Sequence, residues 1–427
     1  MYGRLPWSEL FTPSVEILRT GITVTAHMEK ALEEEKEKLV ADENIKAIFF
    51  TDGTDVESYL RKGDTYTNPA LAAAYELIGK DGRDAFYKGS IAENIVAATS
   101  ARDGILTMED LLDYETRVDD PFIFEYRGKK IITAPPPASG HVVALTLQLL
   151  NEFDISTRNT TAWNYVLEAF RFGYAMRSQT GDVKYSAKTA WVEEKISNGS
   201  WAREILRTDF KAEAGVLTPH IDINQYSSPI YENFDGTKTT HVSVLGPDGE
   251  AVACTSTVNL YFGSRVMTDD GIVMNNEMDD FSTPGVENSF GYQPSPENFI
   301  VAGKRPLSSS SPSIVFDDAG HARFVTGAAG GSRIITGTLL SLINALDWGM
   351  TLEENMAAPR LHDQLGLETL YESDADATLV QELGAIGYNM TLKSGYMSVV
   401  TSVSSLGGET EAQGDPRKEG TGKVVKS

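Results

Sequence analysis

Cysteine is almost absent. Cys254 stands alone among 427 residues, so no disulfide can form within the chain and no cysteine cluster can hold zinc. It lies in the apolar run Ala251-Val252-Ala253-Cys254, where a buried, inert thiol is expected. The histidines His27, His141, His220, His241, His321 and His362 never fall at the i, i+4 spacing of a zinc helix, so no metal site is expected. Long apolar runs are missing too. No window of about 18 apolar residues occurs, and the opening Met1-Tyr2-Gly3-Arg4-Leu5-Pro6 lacks a basic stretch followed by an apolar one, so neither signal nor membrane anchor is expected in this chain. Basic residues are outnumbered: 37 Lys and Arg face 61 Asp and Glu, and a formal charge of −24 repels nucleic-acid backbones and anionic membrane surfaces. Nucleic acid is excluded as a partner on that ground.

What is present describes a folded chain. A hydrophobic content of 41% with 23% charged residues is that of a globular protein and argues against disorder or a fibre. Helical spacing is expected over residues 6–19, 27–42, 69–78, 90–99, 140–151 and 161–177, the second with a Glu-Lys ladder on a solvated face. After Thr239 the texture changes to short apolar runs at 242–245, 251–257, 271–274, 313–316 and 324–326, separated by Gly and Asp turns, which predicts strands. Pro247-Asp248-Gly249 and Asp317-Asp318-Ala319-Gly320 signal tight hairpins. Helices are expected again at 334–347, 352–356 and 378–383, whereas the composition of the polar stretch 407–422 fits a disordered tail and an ordered segment alike. Strands and helices in both halves make the class α+β.

The chemistry concentrates in five stretches. Thr237-Lys238-Thr239-Thr240-His241 opens the first strongly apolar strand, and Thr255-Ser256-Thr257-Val258-Asn259-Leu260-Tyr261 crowds more hydroxyls onto its neighbour. A threonine hydroxyl is a poor nucleophile unless a base takes its proton; a free α-amine on the same residue can serve, which requires a chain break before it. Threonines are equally good strand formers, and on composition alone that reading stands beside the chemical one. Asn275-Asn276-Glu277-Met278-Asp279-Asp280-Phe281, Pro306-Leu307-Ser308-Ser309-Ser310-Ser311-Pro312 and Gly327-Ala328-Ala329-Gly330-Gly331 follow. Taken singly, Glu277 and Asp280 could be a solvated pair and the glycines a plain turn.

Together, in this order, the five stretches resemble the γ-glutamyltransferases, or glutathione hydrolases. Further landmarks are Tyr2-Gly3-Arg4-Leu5-Pro6-Trp7, Ala85-Phe86-Tyr87-Lys88-Gly89, Ala134-Pro135-Pro136-Pro137-Ala138-Ser139-Gly140, Glu168-Ala169-Phe170-Arg171-Phe172-Gly173-Tyr174-Ala175 and Asp415-Pro416-Arg417-Lys418. The likeness spans essentially the whole chain. It implies an N-terminal-nucleophile hydrolase αββα sandwich, made as one precursor that cleaves itself between Lys238 and Thr239. Residues 1–238 would be the large-subunit portion and 239–427 the small subunit, the two remaining a heterodimer in one αββα domain.

The resemblance also assigns roles. Thr239 would be the nucleophile and Thr257 would hold its hydroxyl, while the backbone N–H groups of Gly330 and Gly331 would form the oxyanion hole. Asn259, Glu277 and Asp280 would grip the substrate ammonium, Ser308 and Ser309 its α-carboxylate, and Tyr261 would line the pocket, although a buried aromatic is the plainer account of Tyr261. The implied substrates are glutathione and other γ-glutamyl amides, with water, amino acids or dipeptides as acceptors and no cofactor. An extracellular or plasma-membrane setting is implied as well, and Asn159, Asn198 and Asn389 head Asn-x-Ser/Thr triplets suited to glycosylation.

Family members normally carry, ahead of the Tyr2-Gly3-Arg4 landmark, an anchor or signal, the first strand and helices, and an arginine that clamps the substrate carboxylate. On that comparison the chain is expected to be N-terminally truncated, with weaker substrate binding and an exposed sheet edge. Two alternatives follow. One is a catalytically inactive or impaired γ-glutamyltransferase-like pseudoenzyme; the other is a related acylase acting on a β-lactam side chain, against which the ammonium-binding and carboxylate-binding residues argue.

Overall fold

A computed structural model describes residues 3–210, 216–220, 222–226, 230–231, 238–286 and 293–425. Met1, Tyr2, Thr237 and Ser427 of the stretches above lie outside these residues, as does the side chain of Lys238. The chain separates into two compact units, Met1–Val118 with Val258–Asn276, and Asp119–Thr257 with Glu277–Ser427.

The first unit is mainly helical: α1 (Thr12–Thr20), α2 (Ala26–Leu39), α3 (Glu43–Phe49), α4 (Pro69–Asp81), α5 (Arg83–Tyr87), α6 (Ser90–Ser100) and α7 (Met108–Leu112), with the short antiparallel pair β1 (Ile22–Thr23) and β2 (Thr65–Tyr66). Local chemistry sets the helix starts. The Thr25, Asp42 and Asn68 side chains each accept a hydrogen bond from the backbone N–H three residues on, satisfying a donor that the helix cannot. The helix expected over 6–19 is broken, because Pro13 has no N–H to give and so starts a helix instead of continuing one. Trp7–Leu10 forms a 3-10 turn and α1 begins at Thr12. Leu32, Leu39, Ile45, Phe49 and Met267 share one core, which anchors the 258–276 segment. Asn44 Nδ2 donates to Met267 O at 3.1 Å and Asn68 Nδ2 to Gly271 O at 3.1 Å. The strand expected at 271–274 does not form. Gly271 sits at φ +73° against the Asn68 side chain, and Thr268 N bonds Ile272 O, so the segment turns back on itself with a lone bridge between Met267 and Val273.

The second unit is built on a six-stranded antiparallel sheet. Its members are β3 (Phe122–Tyr126), β4 (Lys129–Thr133), β7 (Ser313–Phe316), β8 (Ala322–Ala329), β12 (Val399–Ser404) and β13 (Glu411–Gly414), in the order β13-β12-β8-β7-β4-β3. On one face lie α8 (Gly140–Leu150), α9 (Thr160–Arg177) and α12 (Arg333–Leu346); α10 (Ala187–Ser197), α11 (Ser200–Thr208), α13 (Leu352–Ala357) and α14 (Ala377–Ile386) pack around them. A small sheet β9 (Leu361–His362), β10 (Thr369–Tyr371) and β11 (Met390–Leu392) completes the unit. On the other face of the main sheet lies the hairpin β5 (Lys238–Leu245) and β6 (Ala251–Asn259), its turn closed by Gly246 N to Glu250 O at 2.7 Å. Both faces of β8 are therefore covered, and Val325 through Ala329 are all buried.

One expectation is corrected here, and one open choice is decided. Burial along β6 alternates, with Ala253, Thr255 and Thr257 turned inward and Val252, Cys254 and Ser256 outward; period-two geometry thus leaves Cys254 exposed and not buried. The 407–422 stretch is not a disordered tail. It supplies β13 and the turn Pro416–Lys418, pinned because Asp415 accepts from Arg360 Nη2 at 2.6 Å and Val400 N at 2.9 Å, and Arg417 Nη2 reaches Glu372 at 2.7 Å.

Candidate active site

Thr239 opens β5, half-buried and on the inward face with His241 and Ser243. The Gly246–Glu250 closure sets a register that puts His241 opposite Thr255, where His241 Nδ1 and Thr255 Oγ1 lie 2.8 Å apart, and by the same count puts Thr239 opposite Thr257. His241 Nε2 meets Ser243 Oγ at 3.1 Å, and burial pushes the imidazole down to about 4, so it is neutral. Its ring occupies the space where a Cβ on residue 327 would stand, which is why β8 carries glycine there. The Thr239 carbonyl accepts from Lys418 Nζ at 3.4 Å and the His241 carbonyl from Thr401 Oγ1 at 3.0 Å, fastening β5 from two sides.

A line of polar contacts starts at Thr257. Its hydroxyl bonds Glu277, which opens a 3-10 turn ending at Asp280, and Glu277 and Asp280 are hydrogen-bonded to each other. Two carboxyl groups in contact cannot both ionise cheaply. Burial first, and then the neighbouring Glu277 charge, push Asp280 up to about 7, with Arg177 pulling the other way; burial likewise raises Glu277. Asp280 Oδ1 is buried with no hydrogen-bond partner among the described residues. Asn298 ties this turn to the serine loop, since its Nδ2 donates to Asp280 O at 2.7 Å and its Oδ1 accepts from Leu307 N at 2.9 Å.

The Ser308–Ser310 loop is held against the 134–140 stretch: Ser308 N donates to Pro137 O at 2.8 Å, Ser139 N to Ser310 O at 2.8 Å and Ser139 Oγ to Ser308 O at 2.6 Å. From α9, Arg177 Nη2 donates to Ser309 Oγ at 2.9 Å. One turn earlier Tyr174 Oη donates to Ser332 O at 2.5 Å, beside the glycine turn. That turn joins β8 to α12, with φ at +137° for Gly330 and +65° for Gly331. A Cβ at Gly330 would stand 2.9 Å from Met397 O, so both conformation and space require glycine. Amides at the start of a helix carry partial positive charge and favour anions.

The second unit thus holds Thr257, Glu277 and Asp280 together, ties Arg177 to Ser309, and sets Thr239 beside Thr257. Asn259 and Tyr261 belong to the first unit. Asn259 is left-handed (φ +69°), only 3% exposed, and donates from Nδ2 to Asn276 O at 3.2 Å; the buried Tyr261 ring lies 5.5 Å from the His27 ring. Sequence reasoning missed Arg177 and Asn298. The sole signal for Arg177 was its place three residues after Tyr174 in a landmark helix, and nothing marked Asn298. A groove of about 940 Å³ between β5 and the edge formed by β12 and β13 is lined by none of the candidate residues. Among the described residues, no cluster of His, Cys, Asp and Glu is arranged to hold a metal ion, and no helix is long and apolar enough to cross a membrane. Asn159 caps α9 through its side chain, Asn198 follows α10, and Asn389 Nδ2 donates to Leu367 O at 2.7 Å, all three at the surface.

The chain is similar to known proteins in sequence and in fold. The family described as Gamma-glutamyltranspeptidase matches residues 1–425. A glutathione hydrolase proenzyme of Arthroderma benhamiae is 37% identical over 431 residues, spanning 99% of this chain and 72% of that protein. The glutathione hydrolase proenzyme of Escherichia coli is 36% identical over 426 residues, spanning 97% and 71%. Among solved structures, cephalosporin acylase from Bacillus halodurans matches with a TM-score of 0.84 at 20% identity, over the whole of this chain and 76% of that one. That likeness bears out the N-terminal-nucleophile hydrolase fold.

Proposed function

The chain belongs to the γ-glutamyltranspeptidase family, and from that premise we propose that it hydrolyses or transfers the γ-glutamyl group of glutathione and related amides, with Thr239 as nucleophile. The observation that carries the reading is the grouping, within one unit, of the paired Glu277 and Asp280 acids beside Thr257 with a Ser309 hydroxyl backed by Arg177. A γ-glutamyl group has an ammonium and an α-carboxylate at the end remote from its scissile amide. Paired acids and a hydroxyl backed by a cation are complementary to those two charges.

In this reading maturation comes first. The Thr239 hydroxyl attacks the Lys238 carbonyl, the peptide shifts from nitrogen to oxygen, and water hydrolyses the ester, leaving a carboxylate on Lys238 and a free amine on Thr239. That amine then takes the hydroxyl proton as Thr239 attacks the substrate's γ-carbonyl. The Gly330 and Gly331 amides receive the developing oxyanion, donors worth ~3 kcal/mol apiece in acyl transfer. The amine product leaves with the proton, and water or an acceptor amine attacks the γ-glutamyl ester to restore the threonine. Neither step calls for a cofactor.

The test is intact mass and N-terminal sequencing of the purified chain beside Thr239→Ala, with release of a chromogenic γ-glutamyl anilide measured on both. The reading requires a fragment beginning at Thr239 and turnover in the parent alone. An uncleaved, inactive parent overturns it.

A further inference from the structure

Arg177 ends α9 and is only 2% exposed, although an arginine at a helix C-terminus ordinarily reaches solvent and complements the helix dipole there. Its Nε donates to Ser139 Oγ at 3.3 Å and its Nη2 to Ser309 Oγ at 2.9 Å. Ser139 in turn grips the Ser308 carbonyl at 2.6 Å, so the guanidinium is locked to the serine loop at two points. His141, the neighbouring titratable group on α8, is held neutral by burial and by Arg177 itself. The Arg177 charge also lowers the pKa that burial raises at Asp280.

A guanidinium has donors and no acceptor, so Ser309 Oγ has to accept from it. The hydroxyl hydrogen of Ser309 is then directed away from Arg177 and is free to donate to a ligand, with one lone pair remaining. Ser308 is placed differently. Its oxygen accepts from Ser310 N at 3.2 Å and its hydrogen goes to Ser310 Oγ at 3.1 Å, so its one donor hydrogen is spent within the loop. The two serines, equivalent in sequence, are therefore not equivalent in chemistry: one has its hydrogen free to donate, with a buried positive charge behind it.

We propose that Arg177 is a positioning residue that selects an α-carboxylate ligand by fixing Ser309 as a donor, with Ser309 and not Ser308 carrying the discrimination. The proposal rests on the γ-glutamyl reading of this site. It differs from a direct clamp, because the arginine acts through a hydroxyl it polarises.

Calorimetric titration with L-glutamate and with 4-aminobutyrate, which lacks the α-carboxylate, tests it on the whole protein. The parent, Ser309→Ala, Arg177→Lys, Arg177→Gln and the Ser309→Ala/Arg177→Lys double variant are compared, with thermal melting as the check on folding. The expected result is a parent preference for glutamate. Ser309→Ala and Arg177→Lys each weaken glutamate binding by about tenfold or more, the range for a hydrogen bond to a charged group, and leave 4-aminobutyrate unchanged. The double variant should be no weaker than Ser309→Ala alone, because both changes remove one interaction. A parent that binds both ligands alike, additive losses in the double variant, or equal losses for both ligands overturn the proposal. If neither Arg177 variant folds, Ser309→Ala is set beside Ser308→Ala: retained preference in Ser309→Ala, or an equal loss in Ser308→Ala, overturns the proposal, and a loss confined to Ser309→Ala upholds its assignment of the discrimination to Ser309. Anilide turnover by the parent separates this outcome from that of the functional reading. A coupled loss of glutamate preference in a protein without turnover sinks the reading and leaves the proposal standing; additive losses in an active enzyme do the reverse.

Discussion

Arg171 Nε and Asp363 Oδ2 lie 2.8 Å apart in the interior of the second unit, joining residues on opposite sides of the Lys238–Thr239 bond. The same helix sends further ties across that junction. Glu168 accepts from Tyr388 Oη at 2.9 Å, Asn164 Nδ2 donates to Tyr388 Oη at 3.0 Å, and β4 pairs with β7 along its length. A cut at residue 238 severs none of them. The cleaved protein is therefore expected to elute as one species in native gel filtration and to show two bands only on a denaturing gel. Separate elution of the fragments would contradict the packing described.

The Arg171–Asp363 pair gives a stability prediction of its own. Asp363 is fully buried, and removing its cation leaves a charge with little access to water. Arg171→Met should lower the unfolding free energy by ~3–5 kcal/mol in a denaturant titration. The double change Arg171→Met with Asp363→Leu should recover part of that loss, since it removes both charges. A single variant within ~0.5 kcal/mol of the parent would show that the pair has another source of solvation.

The acidic pair predicts a pH dependence of binding. Asp280, pushed up to about 7, is largely protonated at pH 6, and a protonated carboxyl is a poor partner for an ammonium. The KM for a γ-glutamyl anilide should fall by roughly tenfold per unit as pH rises toward 7 and level off above it. Asp280→Asn should bind weakly at every pH and lose the slope. Stability of the unliganded protein runs the other way: a carboxyl whose folded pKa is raised binds more protons in the native state, so its contribution declines between about pH 4 and 7. A KM independent of pH across this range would rule out the protonated pair as the ammonium receptor.

The parts that sequence made legible were those fixed by local pattern. The long apolar periodicities over 140–151 and 161–177 became α8 and α9 almost residue for residue, and Asp317 to Gly320 made its hairpin with Gly320 at φ +82°. What stayed hidden depended on neighbours far along the chain. The 271–274 run has a strand's composition, but Asn68 and the turn bonds around Gly271 claim its backbone. The polar 407–422 stretch has no apolar period, and its order comes from Arg360 and Arg417 closing on Asp415. Arg177 reads in sequence as an ordinary helix-ending cation. Only the fold folds it inward onto Ser309.

His241 and Gly327 form a size match between the two sheets that can be tested from either side. Gly327→Ala introduces a Cβ where the imidazole stands, with buried sheet on both sides, and should cost ~1–3 kcal/mol as overpacking. The acid response of His241 has a defined sign. Its pKa is pushed from the usual 6.5 down to about 4 by burial, so its contribution to stability is present above pH 6.5 and is lost as pH falls toward 4. His241→Gln should flatten the rising part of the stability profile in that window; His141, pushed down to about 3, still contributes a rise, and the raised carboxyls of Asp280 and Glu168 contribute the opposing fall. An unaltered profile in His241→Gln would mean that the ring is protonated in the folded state.

The outward face of the β5–β6 hairpin gives the last prediction. Val242 and Val252 are each 53% exposed and Cys254 lies on the same face, so apolar side chains and the chain's one thiol share an open surface. Alternation along β6 dictates this: with Thr255 and Thr257 turned toward the main sheet, the residue between Ala253 and Thr255 has no inward position to take. Native protein should therefore react stoichiometrically with a maleimide at a rate set by the reagent and not by unfolding. Cys254→Ser should change stability by no more than ~0.5 kcal/mol, as for other surface substitutions. Reaction only on the timescale of global unfolding would mean that this face is covered in solution, and the surface so covered would then be the one bearing Val242, Val252 and Cys254.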